Sequence, residues 1–264
     1  VATKQPAMTA AAIASTISGS SGKKTRQLTK LAELVVDILR TQFIAILGNI
    51  SVAMPVALLI ALSWNYLKGT PMIDGAQAAK LLHDLDPIRS LALPHAAIAG
   101  VYLFVSGLIA GYYDNLAAYN KIGERIRRHR VLVRVMPTRW LNKMGGFIEA
   151  NLGAIMGNFI FGCFLGSTAT VGYILGLPLD IRHIAFASAN FVHGLFYLSP
   201  AHLTWQIAAL SFAGVLLIGM VNLLVSFSLA LMVALRSKEV KFMEWKRLYQ
   251  LVTYHFFTRP TYFF

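Results

Sequence analysis

Five arginines fall within twelve positions of "GERIRRHRVLVR", residues 123–134: Arg125, Arg127, Arg128, Arg130 and Arg134. Guanidinium groups at that density bind phosphate, through planar, charge-assisted hydrogen bonds that suit a nucleic acid backbone or an anionic lipid headgroup alike. Near an anionic membrane surface each basic residue contributes about 1 kcal/mol. A DNA contact would use the same residues. Yet no zinc-ligand spacing, helix-turn-helix pattern or RNP-like aromatic motif stands beside them.

The other candidates are polar side chains inside apolar runs. Glu149, Asn151, Asn158, Asn190, His193 and Asn222 stand out, with Asn49, Ser51, Ser226 and Ser228 of the same kind. Hydrocarbon offers such groups no partner, so each must bond within the protein, for about 0.6 kcal/mol apiece on average. An acid within a membrane span is a functional-site candidate by default, which singles out Glu149 for a transport or gating role. The plainer expectation is that Glu149 and Asp114 pair with the loop arginines or Lys143 and staple two helices. His193 is the candidate titrating group of its segment. No GxGxxG, P-loop, HExxH or GxSxG occurs. Neither a catalytic constellation nor a metal site is expected. The single cysteine, Cys163, allows no intramolecular disulfide.

The elements that must position these residues are apolar helices. Of 264 residues, 56% are hydrophobic and 13% charged, with a mean hydropathy of +0.60, where a soluble domain carries about 25% charged residues. No Asp, Glu, Lys or Arg occurs in 43–64, 91–113, 150–179 or 183–235. An uncharged apolar run of roughly 18 residues or more can cross a bilayer core of about 30 Å. The expected fold is therefore an all-α polytopic integral membrane protein. In the third run Gly153 and Gly157, then Gly162 and Gly166, are each four apart, a spacing that lets helix backbones approach closely. Pro55 is expected to kink the first span. The second span is expected to continue as helix into the arginine stretch.

The run 183–235 is too long for one span and Pro200 divides it. Counting 183–200 as a crossing gives five spans and puts the two ends of the chain on opposite sides. The charges favour four. Residues 1–42, the loop 114–145 and the tail 237–264 with Arg236 carry six, eight and six Lys or Arg, and four crossings place all three on the cytoplasmic side, as the positive-inside rule requires. Residues 183–200 then form a re-entrant or short segment, allowed only where protein or a water-filled cavity covers its backbone. The expected divisions are a flexible linker over 1–22, an amphipathic helix over 23–41 in "KKTRQLTKLAELVVDILRTQF", a transmembrane helical domain over 42–236, and a basic aromatic tail over 237–264. The initial Val1 and the low-complexity opening suggest a processed or truncated chain, with a linker leading from a preceding domain.

Three stretches, "QFIAILGNISVAMPVA", "GVYLFVSGLIAGYYDN" and "GNFIFGCFLGSTATVGYILGLPLDIRHIAFASANF", together resemble the C-terminal membrane part of a bacterial family labelled site-specific recombinase, of the Neisseria gene-conversion type. The likeness runs from about Leu28 to Phe264. It implies a bacterial protein, in the inner membrane, and DNA strand exchange by the family as a whole. A tyrosine recombinase needs Arg, Lys, His and Arg around a Tyr nucleophile, to neutralise phosphate and protonate the leaving oxygen. A serine recombinase needs a Ser within an arginine cluster. Tyr249, Tyr254 and Tyr262 lie in the tail with Arg247, His255 and Arg259, in no spacing that matches either set.

The function expected is a non-enzymatic channel, transport or scaffold unit in the inner membrane, without a cofactor, whose partners are membrane lipids and their anionic headgroups. A membrane-tethered recombinase component holding DNA on its basic loop is the alternative, and a lipid-binding or lipid-handling module a third. A homo-oligomer stays open, as does nucleic acid, the less favoured partner.

Overall fold

The structure is a computed structural model that describes residues 24–237 together with Tyr254 and Thr258. The expected linker 1–22 and nearly all of the tail 237–264 lie outside the described residues, as do the side chains of 24–39 and with them the expected amphipathic face. Among residues 24–237 eight helices follow one another: α1 (Lys24–Lys68), α2 (Gly75–His83), α3 (Ala92–Tyr119), α4 (Ile122–Arg127), α5 (Arg130–Val135), α6 (Thr138–Leu175), α7 (Ile184–Tyr197) and α8 (Trp205–Ser237). There is no strand among the described residues.

Among the described residues, four helices are long and apolar enough to cross a membrane, over Phe43–Lys68, Ala92–Tyr119, Thr138–Leu175 and Trp205–Val233. The shortest has 26 residues and reaches about 39 Å at 1.5 Å per residue. The 14 residues of α7 reach only about 21 Å, short of the roughly 30 Å core. Extended backbone at His183 and Leu198 ends α7 on both sides. Five crossings would need a helix that this segment does not make.

α1 is one helix from Lys24 through the start of the first apolar run, with Pro55 inside it. α3 stops at Tyr119 instead of running into the arginines. Asn120 Nδ2 donates back to Leu116 O at 3.1 Å, and Lys121 turns the chain with φ +48, a left-handed conformation that a helix cannot absorb. The arginine stretch therefore folds into the two short helices α4 and α5. α6 starts at Thr138, twelve residues earlier than its charge-free run, and ends at Gly176 with φ +64. There Leu177 N–H returns to Gly172 O at 2.9 Å, a Schellman-type stop.

α3 is central, flanked along its length by α6 and α8, while α1 packs mainly on α7, and α7 also meets α2 and α8. The α3–α6 contact is close because glycine is there: a Cβ at Gly157 would lie 2.8 Å from Ala110 Cβ and 3.0 Å from Ser106 O. The principal core gathers Ile46, Leu85, Ala92, Ala96, Ile184, Ala187, Val215 and Ile218, where α7 enters among α1, α3 and α8. α4 and α5 cap one end of this bundle. α2 and the C-terminal end of α7 form a layer at the other, bound by Ala78, Leu82 and Leu198.

Candidate functional site

The turn after α3 opens a basic cleft of about 710 Å3, lined by Tyr119, Asn120, Lys121, Glu124, Arg125, Arg128, His129, Arg130 and Val131. Four cations and a histidine face it against one carboxylate. The cleft begins at the last residue of α3, at one end of the candidate span Ala92–Tyr119. Beside it, Val131, Val133, Val135 and Trp140 are 60%, 53%, 75% and 61% exposed, alternating with Arg130, Arg134 and Arg139. Lys143 Nζ stands 5.9 Å over the Trp140 ring, a cation–π distance.

Arg127 does not share this cleft. Its Nη2 lies 3.6 Å from Glu149 Oε2, both about one-third exposed, and α4 lies on α6 at that point. Gly123 and Gly145 make the approach: a Cβ on Gly123 would strike the Glu149 carboxylate and come within 2.9 Å of Gly145 O. Glu149 thus stands in an ion pair at the bundle's end. Asp114 Oδ1 accepts from Gly153 N–H at 3.1 Å.

At the opposite end the chain leaves α6, runs through 177–183 and continues as the short apolar helix α7. Asn222, 1% exposed, holds the start of that helix. Its Oδ1 accepts from Ile184 N–H at 3.1 Å, and its Nδ2 donates to Ala96 O at 2.8 Å and Arg182 O at 2.9 Å. Three elements are joined through one amide. Arg182, its side chain 13% exposed, bridges Asp84 Oδ2 at 3.1 Å and Asp180 Oδ2 at 2.5 Å. His193 Nε2 lies 3.1 Å from Ala57 O, and Tyr197 O–H donates to Asn65 Oδ1 at 3.0 Å, so α7 is stitched to α1. His95 Nε2 reaches Pro178 O at 2.9 Å.

The remaining sequence candidates are scattered. Asn151 Nδ2 donates to Phe147 O within α6 at 2.8 Å. Asn158 is on the exposed side of α6, and Asn190 is half-buried on α7. Gly153 and Gly157 face α3, but none of the described residues lies within 4 Å of a Cβ at Gly162 or Gly166. Two features escaped sequence reasoning. The Arg182–Asp84–Asp180 cluster carried one signal, a lone basic residue beside a long apolar run. Tyr119, 87% exposed, joins the basic cleft although the tyrosines weighed from sequence were in the tail. Of those, Tyr254 is exposed and the others lie outside the described residues. No group of three His, Cys, Asp or Glu that could hold a metal occurs among the described residues.

Residues 1–264 match the model of the family described as SpecificRecomb: Site-specific recombinase, and the chain belongs to that family. No curated protein and no solved structure matches it.

Proposed function

From that family membership and the two ends of the bundle, we propose that this chain is a non-catalytic scaffold of the bacterial inner membrane, seated on anionic headgroups through its arginine cleft. Both ends of the chain and the cleft share the cytoplasmic side, as the positive-inside rule favours. The observation that carries the proposal is the set of exposed apolar side chains, Val131, Val133, Val135 and Trp140, interleaved with arginines directly beyond a span. Lipid rewards that mixture, since acyl chains take the apolar groups and headgroup phosphates take the cations. DNA rewards only the cations. Scaffold is favoured over channel or transporter because Asn222 and His193 are taken up by backbone partners rather than aligned along a passage.

A second reading rests on the cleft's residue types. Tyr119, Lys121, Arg125, Arg128, His129 and Arg130 are the kinds of group that tyrosine-based strand exchange uses: a nucleophile, phosphate clamps and a proton donor.

One experiment separates the two. The variant Arg125→Gln, Arg128→Gln, Arg130→Gln leaves the Arg127–Glu149 pair intact. On the scaffold proposal it loses retained phosphatidylglycerol in native mass spectrometry, and any DNA affinity keeps its salt dependence. If the cleft grips DNA, each lost phosphate contact lowers the slope of log K against log salt by about 0.9. A fall of two or more, or a covalent DNA adduct lost in Tyr119→Phe, would overturn the scaffold proposal.

A further inference from the structure

A second cavity, of about 800 Å3, lies at the end of the bundle remote from the arginines. That is within the range of about 300–1,000 Å3 found for ligand pockets. Its walls come from α2, the turn before α3, the end of α7 and the first turns of α8. Its lining includes the apolar side chains of Leu82, Leu198, Ile207 and Leu210 and the polar ones of His83, Asp86, Arg89, His202 and Gln206.

The polar lining is not uniformly available. Asp86 is 7% exposed, and its Oδ1 is taken by the N–H groups of Ile88 at 2.8 Å and Arg89 at 3.0 Å. The Ser211 hydroxyl donates to Leu82 O at 3.3 Å. Arg89 differs, being exposed at the rim, with no ion pair for its guanidinium among the described residues. An exposed guanidinium lining a partly apolar cavity is available to an anionic head through two parallel hydrogen bonds. Tyr66 and Trp205, 90% and 75% exposed, mark this same end with the aromatic residues typical of a membrane–water interface.

We propose that this cavity binds a single-chain anionic amphiphile, its tail along Leu82, Leu198, Ile207 and Leu210 and its head on Arg89. The head is a carboxylate or a phosphate, since the guanidinium takes either through two parallel hydrogen bonds. A neutral lipid would leave Arg89 unmatched, and a small polar anion would leave the apolar lining uncovered.

The test uses the full chain in phosphatidylcholine nanodiscs with a diazirine-tagged palmitate, photo-cross-linked and mapped by peptide mass spectrometry. Cross-links should saturate and fall on α2 and the first turns of α8. Palmitate or lysophosphatidic acid should displace them, and inorganic phosphate should not; whichever competes at the lower concentration identifies the head. Arg89→Gln, at an exposed position, should weaken the probe by about tenfold or more, the loss expected of a hydrogen bond to a charged group. Hexadecanol binding should be unchanged in that variant. Ile207→Trp, at a side chain already 38% exposed, should exclude the probe while retaining wild-type elution. Arg128→Gln, in the other cleft, should change nothing here, which keeps this result separate from the scaffold proposal. Cross-links that never saturate, displacement by inorganic phosphate, or an Arg89→Gln variant with wild-type affinity would each overturn the proposal.

Discussion

Asn222→Leu should unlock the segment at the start of α7 while leaving the bundle folded. Leucine keeps asparagine's branch at Cγ, with bulkier methyl ends, but none of its three hydrogen bonds, to Ile184 N–H, Ala96 O and Arg182 O. Ala96 O sits in the first turns of α3 and keeps its helical acceptor role. Ile184 N–H is one of the unsatisfied groups at the start of α7, and Arg182 O lies in non-helical chain, so these two are orphaned. At about 1–3 kcal/mol for each buried group left unpaired, the cost is about 2–6 kcal/mol. The mean of about 0.6 kcal/mol per bond measured within membranes gives about 2 kcal/mol for all three. A local destabilisation of about 2–4 kcal/mol corresponds to about 30- to 700-fold in the opening equilibrium. Amide hydrogen exchange reads that equilibrium directly. Peptides covering 181–188 should exchange faster by about that factor in nanodiscs, while peptides from the α3–α6 contact keep their wild-type rates. Unchanged exchange at 181–188 would show that Asn222 is not the lock. Equal acceleration in α6 would show that the segment and the bundle open as one unit.

Two further predictions concern packing and topology. Gly157→Leu should cost about 1–3 kcal/mol in detergent, because the new side chain meets Ala110 and Ser106 O and the helices must part. Gly162→Leu, with none of the described residues within 4 Å, should be neutral, and equal loss of stability in the two would show that the outward glycines also meet a partner. In a Cys163→Ala background, cysteines placed at Asn142 and Ser237 should resist an impermeant thiol reagent in intact spheroplasts, while one at Thr70 labels. Labelling at Ser237 without labelling at Asn142 would restore a fifth crossing.

Charge-free runs made the four spans legible, because only helices of that length satisfy their backbone within hydrocarbon. Other features depend on what comes near in space. The run from Thr138 to Gly145 contains Arg139 and Lys143, so hydropathy assigned it to a loop. It is helical, and it packs on α4 where Gly123 meets Gly145. The glycine pairs at 153 and 157 and at 162 and 166 are the same pattern in sequence. Only the neighbour across α3 distinguishes them, and no local rule carries that. Asn222 was legible as a buried polar group, but not what it bonds: Arg182 and Ala96 are 40 and 126 positions away. The Arg182–Asp84 bridge spans 98 positions, beyond any spacing argument. The stop of α3 was missed because Lys121 adopts a left-handed turn that its residue type does not announce.

The scaffold proposal is tested most directly by the depth of Val133. In a Cys163→Ala background, a nitroxide label at Val133→Cys in nanodiscs of mixed neutral and anionic lipid reports its collisions with oxygen, which concentrates in lipid, and with a nickel chelate, which stays in water. The exposed face of α5 should lie at the headgroup–acyl boundary, with oxygen collisions dominant, and should rise toward water when Arg125, Arg128 and Arg130 are replaced by Gln. A label dominated by the nickel chelate in the unmodified arginine background would place α5 in water and contradict the proposal.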